Sequence, residues 1–278
     1  MSNANQDQEE FWTTNAGPTW VTYEAPLDAF LAPVLDRVLA LAKLKPGQSV
    51  LDIGCGTGES ALAACQLVGP QGQVVAADIS STMVARAQQR AKGLPNVDIK
   101  LADAEDHPFE AAHFDHVISR FGVMFFAKSD AAFTNILHAL KPGGQITFAA
   151  WGQIPCNPWF TMPAAIAKAE LGAPPKSDPD APSPFALRDI DKTCAMLERA
   201  GFQHVTAVAE DMQFSLSGGA KEIAALSMHV GPAAGTIKHF TADRAAQTRI
   251  EAAMTKAFEE FDGAAIPAQI NFYTAFKS

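Results

Sequence analysis

From Ser49 to Trp151 short apolar runs alternate with amphipathic stretches. SVLDI, QVVAAD, VDIKLA, HVISR and QITFAAW read as strands, and ESALAACQLV, STMVARAQQRA and AAFTNILHAL read as the helices between them. SVLDI and QVVAAD are apolar nearly throughout, as strands covered on both faces must be, so the alternation predicts a parallel sheet wrapped by helices. Upstream, LDAFLAPVLDRVLALAKL (Leu27 to Leu44) has a helical period, with Pro33 expected to kink it or break it in two. Residues 1 to about 10 have almost nothing to bury and predict a disordered tail. After Trp151 the rhythm stops. A proline-rich segment from Pro155 to Pro184 carries one short helix around Met162 to Leu171, and the next helix closes at Gly201 before a strand. A helical stretch follows from about Gly218 to Phe261, and PAQINFYTAF reads as a last strand. The expected organisation is a tail and helical cap segment over 1–45, then a main domain over 46–278 with cap insertions at about 152–186 and 218–262.

Composition narrows the function classes. The 278 residues are 48% hydrophobic, enough for one sizeable core. Lys and Arg number 21 against 30 Asp and Glu, so the net charge of -9 offers no general field for nucleic acid or an anionic membrane. Cys55, Cys65, Cys156 and Cys194 lie far apart and form no CxxC pair, which argues against a disulfide framework or a structural zinc site. No His and carboxylate set at metal-ligand spacing is present either. The polar, acidic N-terminus is unlike a signal peptide, and no apolar run approaches membrane-spanning length. A soluble, cytoplasmic protein is expected, with a homodimer left open.

Chemistry enters with VLDIGCGTGES (Val50 to Ser60), where a strand ends in Gly54-x-Gly56-x-Gly58 and opens a helix at Glu59. Such a turn lets backbone approach a ligand where side chains would collide. A nucleoside triphosphate calls for GxxxxGK[ST], but no Lys follows Gly58. A dinucleotide calls for GxGxxG, and the last glycine is replaced by Glu59, whose carboxylate would oppose a pyrophosphate at the helix N-terminus. S-adenosyl-L-methionine needs the close approach without the anion site, and suits the turn best. Asp78 ends the second strand twenty residues after Gly58, where a carboxylate can accept from both ribose hydroxyls.

VLDIGCGTG resembles the first motif of class I S-adenosylmethionine-dependent methyltransferases, particularly the branch similar to ubiquinone and menaquinone biosynthesis methyltransferases. The likeness is strong from about Ser49 to Trp151. It implies an α/β, Rossmann-like fold with a seven-stranded, mostly parallel sheet whose last strand is antiparallel, and helical cap insertions. It also implies that Asp52 and the backbone of Gly54, Cys55 and Gly56 hold the methionine moiety, with Gly58 completing the turn. Ile79 and Met83 would pack against ribose and adenine. In LADAEDHPF, Asp103 would accept from the adenine amine and the Ala104 N–H would donate to the ring, leaving Glu105 and Asp106 as surface charges. Asp115 would be a structural anchor, Ser119, Arg120 and Phe121 would lie at the ligand-holding edge of the sheet, and Gly143 and Gly144 would turn the chain into the fifth strand.

The acceptor is less legible. Where amino-methylating nucleic-acid enzymes of this class carry [NDS]PP[YF], this chain reads SRFGVMFF, which with the acidic balance argues for a small-molecule acceptor and against DNA or RNA. Aromatics cluster where a lid is expected, and Trp20, Tyr23, Phe125 and Trp151 are the chosen lining of an apolar acceptor pocket. No general base is assigned; Tyr23, His229 and His239 are the candidates. The function expected is methyl transfer to a small apolar or aromatic molecule on oxygen, carbon or nitrogen. An NAD(P)-dependent oxidoreductase and a catalytically silent donor-binding regulator are the alternatives.

Overall fold

In the computed structural model, which describes residues 3–175, 182–261 and 265–278, seven strands form one sheet in the order β3-β2-β1-β4-β5-β7-β6. They are β1 (Ser49–Ile53), β2 (Gln73–Asp78), β3 (Val97–Leu101), β4 (Phe114–Arg120), β5 (Leu140–Trp151), β6 (Gln203–Phe214) and β7 (Ile266–Phe276). The first five pair in parallel, and β7 runs antiparallel to both β5 and β6. The strand order reverses between β1 and β4, which is where open sheets of this kind hold ligands at their C-terminal ends. This is the Rossmann-like α/β architecture that the alternation and the resemblance imply.

Each long helix follows the strand before it, as the alternation requires: α4 (Glu59–Val68), α5 (Ser81–Arg90), α6 (Ser129–Ala139) and, before β6, α8 (Ile190–Arg199). Two of these four helices begin on a side-chain N-cap. Ser80 Oγ accepts from the Met83 N–H at 3.2 Å and Asp189 Oδ1 from the Lys192 N–H at 3.1 Å.

Three expectations about the flanks are corrected. Asn3–Glu10 is helical (α1), followed by a π-helical turn over Phe11–Ala16 and α2 (Gly17–Thr22), so the start of the chain is ordered against the domain. Pro33 neither breaks nor divides its helix, because α3 runs unbroken from Glu24 to Ala42. The carbonyl that Pro33 leaves without a partner belongs to Ala29, which is solvent-exposed. Phe30, Leu31, Val34 and Val38 are all buried, at roughly 1.5–3 kcal/mol each, against roughly 3 kcal/mol for the proline. Gly143 and Gly144 lie inside β5 as an irregularity opposite Phe114 and His116, where they exchange backbone hydrogen bonds with Lys277.

Past β5 the chain forms α7 (Pro158–Leu171), which starts four residues earlier than its pattern suggests, then α9 (Gly219–Ser227), α10 (Pro232–His239) and α11 (Arg244–Phe258). These four pack on one another above the strand ends. Residues 176–181 and 262–264 of the two expected insertions lie outside the described residues. Tyr273 ties the returning segment to β7: its hydroxyl donates to Leu187 O at 2.8 Å, and burial pushes its pKa up to about 12.

Candidate functional site

Gly54, Gly56 and Gly58 have φ of 68°, 55° and 98°, a left-handed run that L side chains rarely adopt. Each glycine has its own reason. A Cβ on Gly54 would lie 2.5 Å from Gly122 Cα, so the turns after β1 and β4 touch through two bare backbones. A Cβ on Gly56 would make ordinary contact with Met83 Sδ at 3.7 Å, and one on Gly58 would press on Ala87 Cβ at 3.1 Å. The Gly54 and Gly56 backbones border a cavity of about 1040 Å³; Gly58 does not.

Along one half of that cavity lie Asp78, Ile79, Met83, Asp103, Ala104 and Arg120. Asp78 Oδ2 accepts from the Gly56 N–H and Oδ1 from the Ser80 N–H, both at 2.8 Å. Burial raises its pKa, and these N–H donors oppose that shift. Asp103 Oδ1 accepts from the Glu105 N–H at 3.0 Å and Oδ2 from Asn5 Nδ2 at 2.6 Å. Its pKa is also raised by burial, against those two donors. Glu105, expected as a surface charge, is instead a tie: it accepts from Asn5 Nδ2 at 2.9 Å, from the Lys128 N–H at 3.0 Å and from the Ala127 N–H. Asp106 is exposed as expected. Asp115 is the structural anchor the resemblance implies, accepting from the Ser49 N–H at 2.8 Å and Lys141 Nζ at 2.9 Å.

Asp52, Cys55 and Ser119 lie behind the wall, because the interior strands β1 and β4 turn Asp52 and Ser119 into the sheet's packing and Cys55 is buried in the turn after β1. Asp52 is fully buried, accepts from Ser60 Oγ at 2.5 Å and keeps Oδ1 without a partner among the described residues. Burial raises its pKa to about 7 against the Ser60 bond and the Arg120 charge, with Asp78 adding to the rise. Burial, then the Asp78 and Asp52 charges, push the Cys55 thiol well up, which fits a packing residue and not a nucleophile. Ser119 Oγ donates to Ile53 O at 2.7 Å and accepts from the Gly122 N–H at 3.1 Å, bracing the two glycine contacts.

Arg120 reaches from the end of β4 to Asp28 Oδ1 at 3.4 Å. Asp28 also accepts from Arg90 Nη1 at 2.9 Å, and Arg90 pairs with Glu59. Glu24 joins through Arg90 at 3.7 Å and also pairs with Arg86 at 2.7 Å. This network fastens α3 to α4, α5 and β4 beneath the cavity, and it employs the Glu59 carboxylate as a structural partner at the start of α4.

The other half of the cavity is aromatic. Phe121, at a strained φ of 68°, stacks on Trp151 with centroids 4.6 Å apart and planes at 3°. Trp151 stacks in turn on Trp159 at 6.0 Å and meets Phe160 edge-on at 4.8 Å. Trp12 meets Phe125 at 4.8 Å and Trp20 at 6.2 Å, bringing the N-terminal segment over the same space. Trp20, Phe125 and Trp151 therefore line the cavity as expected, whereas Tyr23 does not. Tyr23 occupies the break between α2 and α3 and stacks on His229 at 4.7 Å and 18°. His229 lines the cavity; His239 does not and instead packs edge-on against Phe240. Asn5, Trp12, Gly122 and Trp159 belong to the site without having been chosen as candidates. Only the aromatic clustering gave a signal for Trp12 and Trp159.

Residues 50–144 match a family described as a methyltransferase domain. The Nocamycin O-methyltransferase of Saccharothrix syringae is 31% identical over 212 residues, 69% of this chain and 72% of that protein. The chain belongs to the class I S-adenosylmethionine-dependent methyltransferases. Within this family it resembles the quinone branch: a ubiquinone/menaquinone biosynthesis C-methyltransferase, UbiE, of Pseudomonas putida is 41% identical over 111 residues, 39% of this chain. That match spans 43% of the Pseudomonas protein's length. Among solved methyltransferases, a Haemonchus contortus phosphoethanolamine N-methyltransferase 2 in complex with S-adenosylhomocysteine shares the fold. Its TM-score is 0.52 at 22% identity, over 87% of this chain and 52% of that one.

Proposed function

We propose that this chain transfers a methyl group from S-adenosylmethionine to a small, largely apolar or aromatic molecule. One observation carries the reading: a single cavity joins a polar half at the glycine turn to an aromatic half beneath the N-terminal segment and α7. At about 1040 Å³ it exceeds what one ligand of ordinary size needs, so it suits a donor and an acceptor together.

The residues present fit the donor. The positive-φ backbones of Gly54 and Gly56 admit it closely, and Asp78 keeps lone pairs for two ribose hydroxyls after accepting two backbone N–H groups. Ile79 and Met83 cover the nucleoside, Asp103 and the Ala104 N–H read the adenine edge, and Arg120 supplies positive charge for the donor's carboxylate. Asp52 lies behind the wall and ties β1 to the start of α4 by accepting from Ser60 Oγ. When bound, the sulfonium supplies an electrophilic methyl group and a neutral thioether leaving group. The chain's own work is alignment and the exclusion of water by the aromatic half, which together are worth effective molarities on the order of 10⁵ M or more. Where the acceptor must lose a proton as the new bond forms, His229 is the imidazole on the wall to take it.

The nocamycin relative is named an O-methyltransferase and the Pseudomonas relative a C-methyltransferase, which supports an oxygen or carbon acceptor on a small molecule. Calorimetry with S-adenosylmethionine and S-adenosylhomocysteine, followed by transfer of labelled methyl into a metabolite extract with mass spectrometry of the product, tests this. Heat with both compounds and a labelled small molecule are expected. Donor binding without any product would favour the regulatory alternative, and a signal from a nicotinamide coenzyme alone would overturn the reading.

A further inference from the structure

Of the fixed charges on the cavity wall, Asp78, Asp103, Glu105 and Arg120 stand with the polar half, each held by its own partners. Lys238, in the last turn of α10, is the cation left over. Its Nζ donates to Asn15 Oδ1 at 2.8 Å, and it pairs with no carboxylate among the described residues. Asn15 lines the cavity as well, so this bond holds the ammonium at the edge of that space. Both residues are exposed, which places them at the mouth. A neutral amide takes up one N–H and leaves the charge and two donors unspent.

The place of this lysine is fixed by its surroundings. Tyr23 stacks on His229 just before α10, so the N-terminal segment is joined to this wall near both ends of that helix. α10 in turn packs on α7, which carries Trp159 and Phe160, so Lys238 belongs to the aromatic half. A lysine in the last turn also suits the negative end of the helix dipole, but that role asks for neither a bridge nor a cavity. Charge then decides which way round a ligand lies. The net charge of -9 and the carboxylates of the polar half repel an anionic group, and Lys238 attracts it to the opposite end.

We propose that the acceptor is an amphiphilic anion: its acidic group pairs with Lys238 at the mouth, and its apolar body extends inward along the aromatic half. This rests on the reading of the aromatic half as the acceptor site and adds the charge that the site selects. A neutral molecule of the same shape gains nothing from the ammonium, and a cationic one is repelled by it.

The chain's four tryptophans, Trp12, Trp20, Trp151 and Trp159, all line this cavity, so tryptophan fluorescence reports on a probe that enters it. The full chain, with S-adenosylhomocysteine present, is titrated with decanoate and with decanol. Decanoate is expected to bind about two- to fivefold more tightly at low ionic strength, the worth of one ion pair at an exposed site, and this preference should fade in high salt. Lys238→Gln is expected to bring decanoate to the affinity of decanol, and Lys238→Glu to push it lower, while decanol and S-adenosylhomocysteine bind as before. The salt dependence is read on the unaltered protein and so stands apart from any effect of the substitutions on folding. Failure of decanoate to bind, equal affinity of the parent for the two probes, a preference indifferent to salt, or one that survives Lys238→Gln would overturn the proposal. Failure of the methyltransferase reading shows separately, as absence of S-adenosylhomocysteine binding while the preference for decanoate remains.

Discussion

Asn5 Nδ2 donates to the Asp103 carboxylate at 2.6 Å, fastening a helix from the start of the chain to the loop after β3. The same amide reaches Glu105, which holds the backbone of Ala127 and Lys128 beyond Phe125. The N-terminal segment is therefore latched to both walls of the polar half. Asn5→Ala is expected to release bound S-adenosylhomocysteine several-fold faster, since hydrogen bonds to charged groups are worth roughly 1.5–3 kcal/mol. Displacement kinetics by stopped flow check this, and an unchanged release rate would mean that the latch does not gate the donor.

Asp78 is the group expected to matter most for donor affinity. Asp78→Asn keeps the size but loses the charge that attracts two ribose hydroxyls, so the dissociation constant for S-adenosylmethionine should rise roughly 10- to 100-fold. Titration calorimetry measures it, with a melting curve to separate the effect from damage to the Gly56 and Ser80 contacts.

Asp52 carries a pH signature. Its folded pKa of about 7 lies above the unfolded carboxylate value near 3.9, so the folded state holds the proton more tightly. Its contribution to stability is therefore greatest below pH 4, falls as pH rises towards 7, and is flat above that, by an amount on the order of 4 kcal/mol. Asp52→Asn removes this term. The stability of the variant relative to the parent, from urea unfolding, is expected to rise between pH 5 and pH 8; a constant difference would contradict the burial argument.

Arg90 and Asp28 are each only about 15% exposed, at 16% and 15%. Arg90→Met leaves Asp28 facing burial with Arg120 alone, and should cost about 2–3 kcal/mol by urea unfolding, at the low end for a broken interior pair because some solvent remains. Added salt should change the loss little.

The strands and the polar lining of the cavity were readable because their causes are local. Apolar runs covered on both faces mark β1 and β2, and Asp78 and Asp103 follow from position just beyond or at a strand end. The aromatic half of the cavity depends on contacts between distant segments, which leave no period. Asn5 lies in a polar stretch that is ordered by Asp103 and Glu105, 98 and 100 residues away. Tyr23 falls where the helical phase is interrupted, so its ring turns to His229 and not to the cavity. Pro33 was misleading because the rule for helix interiors ignores which side of the helix meets water.

The contact between Gly54 and Gly122 governs more than the shape of a turn. One loop borders the polar half of the cavity and the other lies between Phe121 and Phe125 in its aromatic half, and even a single methyl at either position would collide with backbone that has nowhere to retreat. The separation of the cavity's two halves is thus set by two absent side chains, and neither position can acquire one unless the parallel pairing of β1 and β4 is rebuilt.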